Sequence, residues 1–221
     1  MRIAAVTGLA AEARIAGRAG LIAAAAGGDA AHTMAAAERL IAEGADALVS
    51  FGICGGLEPT LMPGSLVLAG SVRDETGRRS GVDAAWHRRV AATLAARSIA
   101  AVTGDLLGVA AIVATPERKA ALHRATGAVA ADLETHIAAA AAAKAGLPFL
   151  ALRAIADPAW RALPPAALVE LDASGRPALA AVLRSVLRKP GQIPALLRVA
   201  LDARAALGML EQAAGALLPP R

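Results

Sequence analysis

Short apolar runs alternate with helical stretches through most of this chain, and that alternation restricts it to a sheet covered by helices on both sides. Arg2 to Thr7 is an apolar run ended by Gly8, and Leu9 to Arg18 then has helical character. Leu21 to Ala26 is a second run, closed by Gly27-Gly28. Asp29 is placed to cap a helix over Ala30–Glu43, which Gly44 ends. Asp46 to Phe51 predicts a strand that leads into a glycine-rich turn, Gly52-Ile53-Cys54-Gly55-Gly56. Ser65 to Val72 is strand-like, Arg73 to Gly81 a polar loop, and Ala84–Arg97 a helix. Two short strands are expected in Ala100–Leu107 and Val109–Val113. Thr115 caps a helix whose first residue, Pro116, suits that position. A brief strand at Ala128–Ala131, an alanine-rich helix over Glu134–Ala145 and a strand at Pro148–Ala156 complete the pattern. The strands are apolar on both faces, as buried strands between helix layers must be.

After Pro164-Pro165 the pattern is helical only. Leu179, Val182, Leu183, Val186 and Leu187 share one face with Arg184 and Arg188 beside it, and a second amphipathic stretch runs from Ile193 to Leu210. The net charge of +5 is concentrated here, in Arg176, Arg184, Arg188, Lys189, Arg198 and Arg204. A basic amphipathic tail can rest on an anionic bilayer, or pack on the domain or on a second copy. The lone cysteine, Cys54, excludes a disulfide framework within one chain, and His32, His87, His123 and His136 lack ligand-like spacing, so no metal site is expected. No run of some 20 apolar residues spans a membrane. The N-terminal segment lacks a signal peptide's apolar core, because Glu12 and Arg14 come too early. A cytoplasmic protein is therefore expected, one that does not bind nucleic acid.

In open α/β sheets ligands bind beyond the carboxyl ends of the strands. That rule selects Gly8–Glu12, Gly52–Gly56 and Arg153–Asp157, with Glu134 as a fourth place. The glycines let backbone approach a ligand closely, in a spacing that is neither the dinucleotide fingerprint nor a P-loop. Glu134 and Asp157 are carboxyls in apolar surroundings, which is costly without a partner. On pattern alone, Glu134 also fits a helix-dipole role, Asp157 a turn cap, and Cys54 either a nucleophile or a small residue in a tight turn.

These places carry a family resemblance. The segment from Ser50 through Gly64 to Leu68 resembles the glycine loop and following strand of the purine-nucleoside phosphorylase and methylthioadenosine/adenosylhomocysteine nucleosidase superfamily. Asp132-Leu-Glu-Thr-His136 is similar to its ribose-binding segment, Leu152-Arg-Ala-Ile-Ala-Asp157 to its Arg-x-Ile-Ser-Asp segment, and Gly8-Leu-Ala-Ala-Glu12 to its N-terminal loop. Asp157-Pro-Ala, Leu163-Pro-Pro-Ala and Arg188-Lys-Pro-Gly-Gln resemble the hopanoid-associated branch.

The resemblance implies a three-layer αβα sandwich with a mixed central sheet over residues 1–175, followed by the helical extension over 176–221. It implies a homodimer and cleavage of the N-ribosidic bond of a 5′-substituted adenine nucleoside. In the hopanoid branch that nucleoside is adenosylhopane, and contact with the inner face of the membrane would follow. Asp157 would be the acid that protonates N7 of the purine, and Glu134 would accept hydrogen bonds from the ribose hydroxyls. Glu12 would be the base for water. Leu133, Gly8, Gly52, Cys54, Gly55, Gly56, Ile112 and Val113 would line the substrate. No cofactor is implied; inorganic phosphate is a possible co-substrate, with Arg14 or Arg73 to hold it. This chain departs from the family pattern at Leu133, which replaces methionine, and at Ala156, which replaces the serine that would orient Asp157. Glu12 is displaced by one position. Attack by water and by phosphate both stay open, as do a nucleosidase for a soluble substrate and a non-catalytic nucleoside-binding, membrane-associated protein.

Overall fold

The computed structural model describes residues 1–168 and 179–219. The boundary expected at residues 175/176, and Arg176 of the basic cluster, lie outside the described residues.

The expected alternation is present. In chain order the elements are β1 (Ile3–Thr7), α1 (Ala10–Arg18), β2 (Ile22–Ala25), α2 (Ala30–Ala42), β3 (Ala47–Gly56), β4 (Leu66–Asp74), β5 (Arg79–Gly81) and α3 (Ala84–Ala96). Then follow β6 (Ala101–Gly108), α4 (Pro116–Thr126), β7 (Ala130–Asp132), α5 (Thr135–Ala145), β8 (Phe149–Asp157), α6 (Leu179–Arg188) and α7 (Ile193–Ala213). Asp29 and Thr115 cap α2 and α4 as their side chains dictate, accepting the N–H groups of His32 and Arg118.

The sheet is mixed, as expected. β1 lies parallel to β2 and β3, and β8 lies parallel to β3 on its other edge. β8 then pairs antiparallel with β4, β4 parallel with β6, and β6 parallel with β7. β7 returns antiparallel to the end of β3, at Gly55 and Gly56. Five strands thus form a closed ring whose seam is the far end of β3. Side-chain alternation divides the core between the two faces. Ile3, Ala5, Val49, Leu150 and Leu152 pack with α1, α3 and α7, while Ala4, Val6, Leu48, Ala151 and Ile155 pack with α2 and α5.

Three expectations about elements are corrected. Gly52–Gly56 is not a turn; β3 continues through it, because β8 pairs with this stretch and β7 with its end. Glycine weakens a strand by itself, but here the ladder on both edges holds it extended. Val109–Val113 is not a strand: Val109 N–H bonds to Asp132 O and Ala110 N–H to the Glu75 carboxylate, so this stretch is a loop. The polar loop after Val72 contains β5, a short edge strand that folds back on β4.

The helices after Pro165 form as expected, and α7 is deeply embedded. Ala206, Leu210 and Ala213 are fully buried against the sheet, and Trp86 Nε1 donates to Leu217 O at 3.0 Å.

Candidate active site

Glu12 stands in the first turn of α1, directly after β1. Its Oε2 accepts the N–H groups of Gly8 and Leu9 at 2.9 and 2.8 Å, and its Oε1 accepts the N–H of Ile53 on β3 at 2.7 Å. The approach to β3 requires a missing side chain. A Cβ on Gly52 would stand 2.6 Å from the Glu12 carboxyl and 2.7 Å from Arg153 Nη1. Burial pushes the Glu12 pKa up, against the Arg153 charge and these three N–H donors.

Glu134 lies where β7 turns into α5. Asp132 shapes that turn, accepting the N–H groups of Glu134 and Thr135 at 3.1 and 2.8 Å. Arg153 of β8 ties the cluster together. Its Nε meets Asp132 Oδ2 at 2.9 Å, and its Nη2 meets Glu134 Oε2 at 3.2 Å and Ser50 Oγ at 2.6 Å. A fully buried guanidinium survives because these partners satisfy it, and they hold it charged. Desolvation outweighs that cation at Glu134 and pushes its pKa up to about 7. Gly8 leaves the space this carboxylate occupies, since a Cβ there would stand 2.5 Å from Glu134 Oε1.

Asp157 ends β8. A bulge shifts the β3–β8 register after Cys54–Ile155, so Ala156 is passed over and Asp157 falls opposite Gly55. Bulges re-aim side chains in this way. Asp157 Oδ2 meets Lys119 Nζ of α4 at 2.6 Å, while buried Oδ1 has no hydrogen-bond partner among the described residues. Burial pushes the Asp157 pKa up, against the pull of Lys119 and Arg161.

Glu12, Glu134 and Asp157 open onto one cavity of about 710 Å³, large enough for a substituted nucleoside. Of the other expected substrate residues, Gly8, Leu133, Cys54, Gly55, Ile112 and Val113 also line it. Gly52 and Gly56 lie behind its wall, as does Arg153. Arg14 and Arg73 are not brought to it: Arg14 is an exposed residue of α1, and Arg73 pairs with Asp105 at 2.9 Å. Cys54 is buried, and burial pushes its thiol far up, which suits packing rather than nucleophilic attack.

The family model of the phosphorylase superfamily matches residues 7–188, the stretch that contains all three carboxyls. The chain belongs to the phosphorylase superfamily. No curated protein matches it. Solved structures share the superfamily member's fold at low identity. The 5′-methylthioadenosine/S-adenosylhomocysteine nucleosidase of Helicobacter pylori, solved with butyl-thio-DADMe-Immucillin-A, is 16% identical, with 96% of this chain and 97% of that one covered at a TM-score of 0.66. The corresponding Neisseria meningitidis nucleosidase, in complex with methylthio-immucillin-A, is 16% identical over 97% and 98%, TM-score 0.67. Futalosine hydrolase of Helicobacter pylori is 14% identical over 96% and 97%, TM-score 0.66.

Three charged residues at this superfamily member's site, Asp132, Arg153 and Lys119, have no role that the sequence assigned. Arg153 had a signal, a cation inside the apolar run Phe149–Asp157. Lys119 had none, because Pro116–Thr126 reads as an ordinary charged helix. Among the described residues lining the cavity, Glu12, Asp29, Asp132, Glu134 and Asp157 are acidic, Lys119 is the one permanent cation, and Asp157 already holds it.

Proposed function

We propose that this protein cleaves the N-ribosidic bond of a 5′-substituted adenine nucleoside with water as the nucleophile. The observation that carries the reading is the convergence of Glu12, Glu134 and Asp157 on one cavity. As the bond stretches, the sugar gains positive charge and the base negative charge. Asp157 donates a proton to the base, neutralising it. Glu134 accepts the ribose hydroxyls, and its charge steadies the cationic sugar. Glu12 accepts the proton of the attacking water. Three of its carboxylate sites are taken by N–H groups, and one is left for water. The acidic lining disfavours phosphate, for which no unpaired arginine stands at the cavity among the described residues.

The 5′ substituent is apolar on this reading, and adenosylhopane is the proposed substrate. Leu163, Ala167, Leu168, Val199 and Ala203 supply an apolar stretch of wall. Ile112 and Leu168 line the cavity and are also exposed at the surface, at 46% and 38%. A water-insoluble substrate would reach such a mouth from a bilayer. Leu183, Leu187, Leu197 and Leu201 stand exposed on α6 and α7 beside exposed Arg184, Arg188 and Arg198, which suits peripheral contact with an anionic membrane. No helix among the described residues is long and apolar enough to cross it. A homodimer is proposed with this reading.

Purified protein is expected to release adenine from adenosylhopane faster than from methylthioadenosine, equally with and without phosphate. Asp157→Asn should lower the rate by about 10²–10⁴-fold, the usual contribution of a general acid. Full activity in that variant would remove the assigned acid, and a phosphate requirement would replace water as the nucleophile.

A further inference from the structure

The two oxygens of the Asp157 carboxyl are held unequally, and the cause is Lys119. The Lys119 side chain is 1% exposed and reaches from α4 under the end of β8. Its ammonium has three protons and meets three acceptors: Asp157 Oδ2 at 2.6 Å, Pro158 O at 2.9 Å and Arg161 O at 3.0 Å. No donor remains for anything else. Asp157 Oδ1 is buried with no partner among the described residues, and its neighbour Ala156 has no side chain that could supply one.

We infer that Lys119 is the positioning residue of the general acid, fixing the Asp157 carboxyl through Oδ2 and stabilising the carboxylate that proton transfer to a base in the cavity leaves behind. The inference rests on Asp157 being the acid proposed above. In the reaction the O–H bond of the Asp157 carboxyl breaks, the proton passes to the ring nitrogen of the departing base, and the electron pair stays on the carboxylate. Lys119 keeps its three protons throughout. The carboxylate left behind is paired at once with an ammonium already in place, so the contact is stronger after the transfer than before it. Only interactions that strengthen along the reaction accelerate it.

Glu12, Asp29, Asp132 and Glu134 line the same cavity as Asp157. Arg161 also lowers the Asp157 pKa, and its guanidinium is tied to Asp202 of α7. One turn along α4, His123 pairs with Glu58 at 3.3 Å. Burial pushes the Lys119 pKa down, and the Asp157 charge opposes that fall.

The test is the pH dependence of kcat/KM for adenine release in the wild type, Lys119→Met and Lys119→Gln. The active form of Asp157 is protonated, so activity falls as pH rises through its pKa. Lys119 lowers that pKa; without it the fall should move to higher pH, by about 1–3 units, while the low-pH plateau drops. A uniform loss with the fall unmoved would mean that Lys119 only packs, and would overturn the inference. Should neither variant fold, nitrogen NMR of wild-type lysine side chains decides. A slowly exchanging ammonium, perturbed in Asp157→Asn, is expected over the whole active pH range, and its absence overturns the pairing. Wild-type protein that releases no adenine overturns the proposed reaction instead, and the ammonium signal still reads the pairing.

Discussion

Glu12 on the first helix accepts the backbone N–H of Ile53 on the third strand at 2.7 Å. The bond joins two parts of the site 41 residues apart, and it exists because residue 52 has no side chain. Gly52→Ala should therefore displace Glu12 and Arg153 together. We expect a loss of about 1–3 kcal/mol, typical of overpacking, and a larger fractional loss of adenine release than of stability. Chemical denaturation and a turnover assay on the same sample check both.

Arg153 is the buried counter-charge of Asp132 and Glu134. Arg153→Met should leave two buried carboxylates without their cation, costing about 3–5 kcal/mol. The deficit should shrink at acid pH, where the carboxyls protonate. A denaturation midpoint that shows no such recovery would mean the pair is weaker than its geometry.

Glu134 has a pKa raised by burial from 4.5 to about 7. The folded state therefore binds more protons than the unfolded chain between those values, and stability falls as pH rises through that window. Glu12 and Asp157, also shifted upward, act in the same sense. Denaturation midpoints from pH 4.5 to 7 should decline, and the decline should be smaller in Glu134→Gln.

Leu210 of α7 is fully buried in the core beneath the sheet. Leu210→Ala should cost about 2–5 kcal/mol, the usual range for a buried leucine, read as a lowered Tm. A cost within a few tenths of a kcal/mol would show α7 to be dispensable for the fold.

Leu197 and Leu201 are 63% and 66% exposed on the opposite side of that helix. The double substitution Leu197→Glu with Leu201→Glu should leave Tm nearly unchanged and abolish flotation with anionic vesicles. Equal flotation of variant and wild type would remove the membrane role of this face.

The alternation of apolar runs and helices was legible in the residues because it is local: β1, α2, α4 and β8 follow from hydrophobic period, capping side chains and glycine stops. Glu12, Glu134 and Asp157 could likewise be picked out, as carboxyls at strand ends. Gly52–Gly56 misled for a physical reason. Glycine in isolation favours a turn, and only pairing with β7 and β8, supplied by residues about 75 and 100 positions later, makes it a strand. The role of Lys119 was invisible for the same reason. Its charge looks solvated along α4, and only the packing of that helix under the end of β8 buries it against Asp157. The sequence by itself determined which segments would be strands between helices and which acidic groups would stand at their ends, since both depend on near neighbours. The tertiary structure alone decided which charges share a cavity, which oxygen of Asp157 is left unpaired, and that α7 belongs to the core, because each depends on chain segments far apart in sequence meeting out of water.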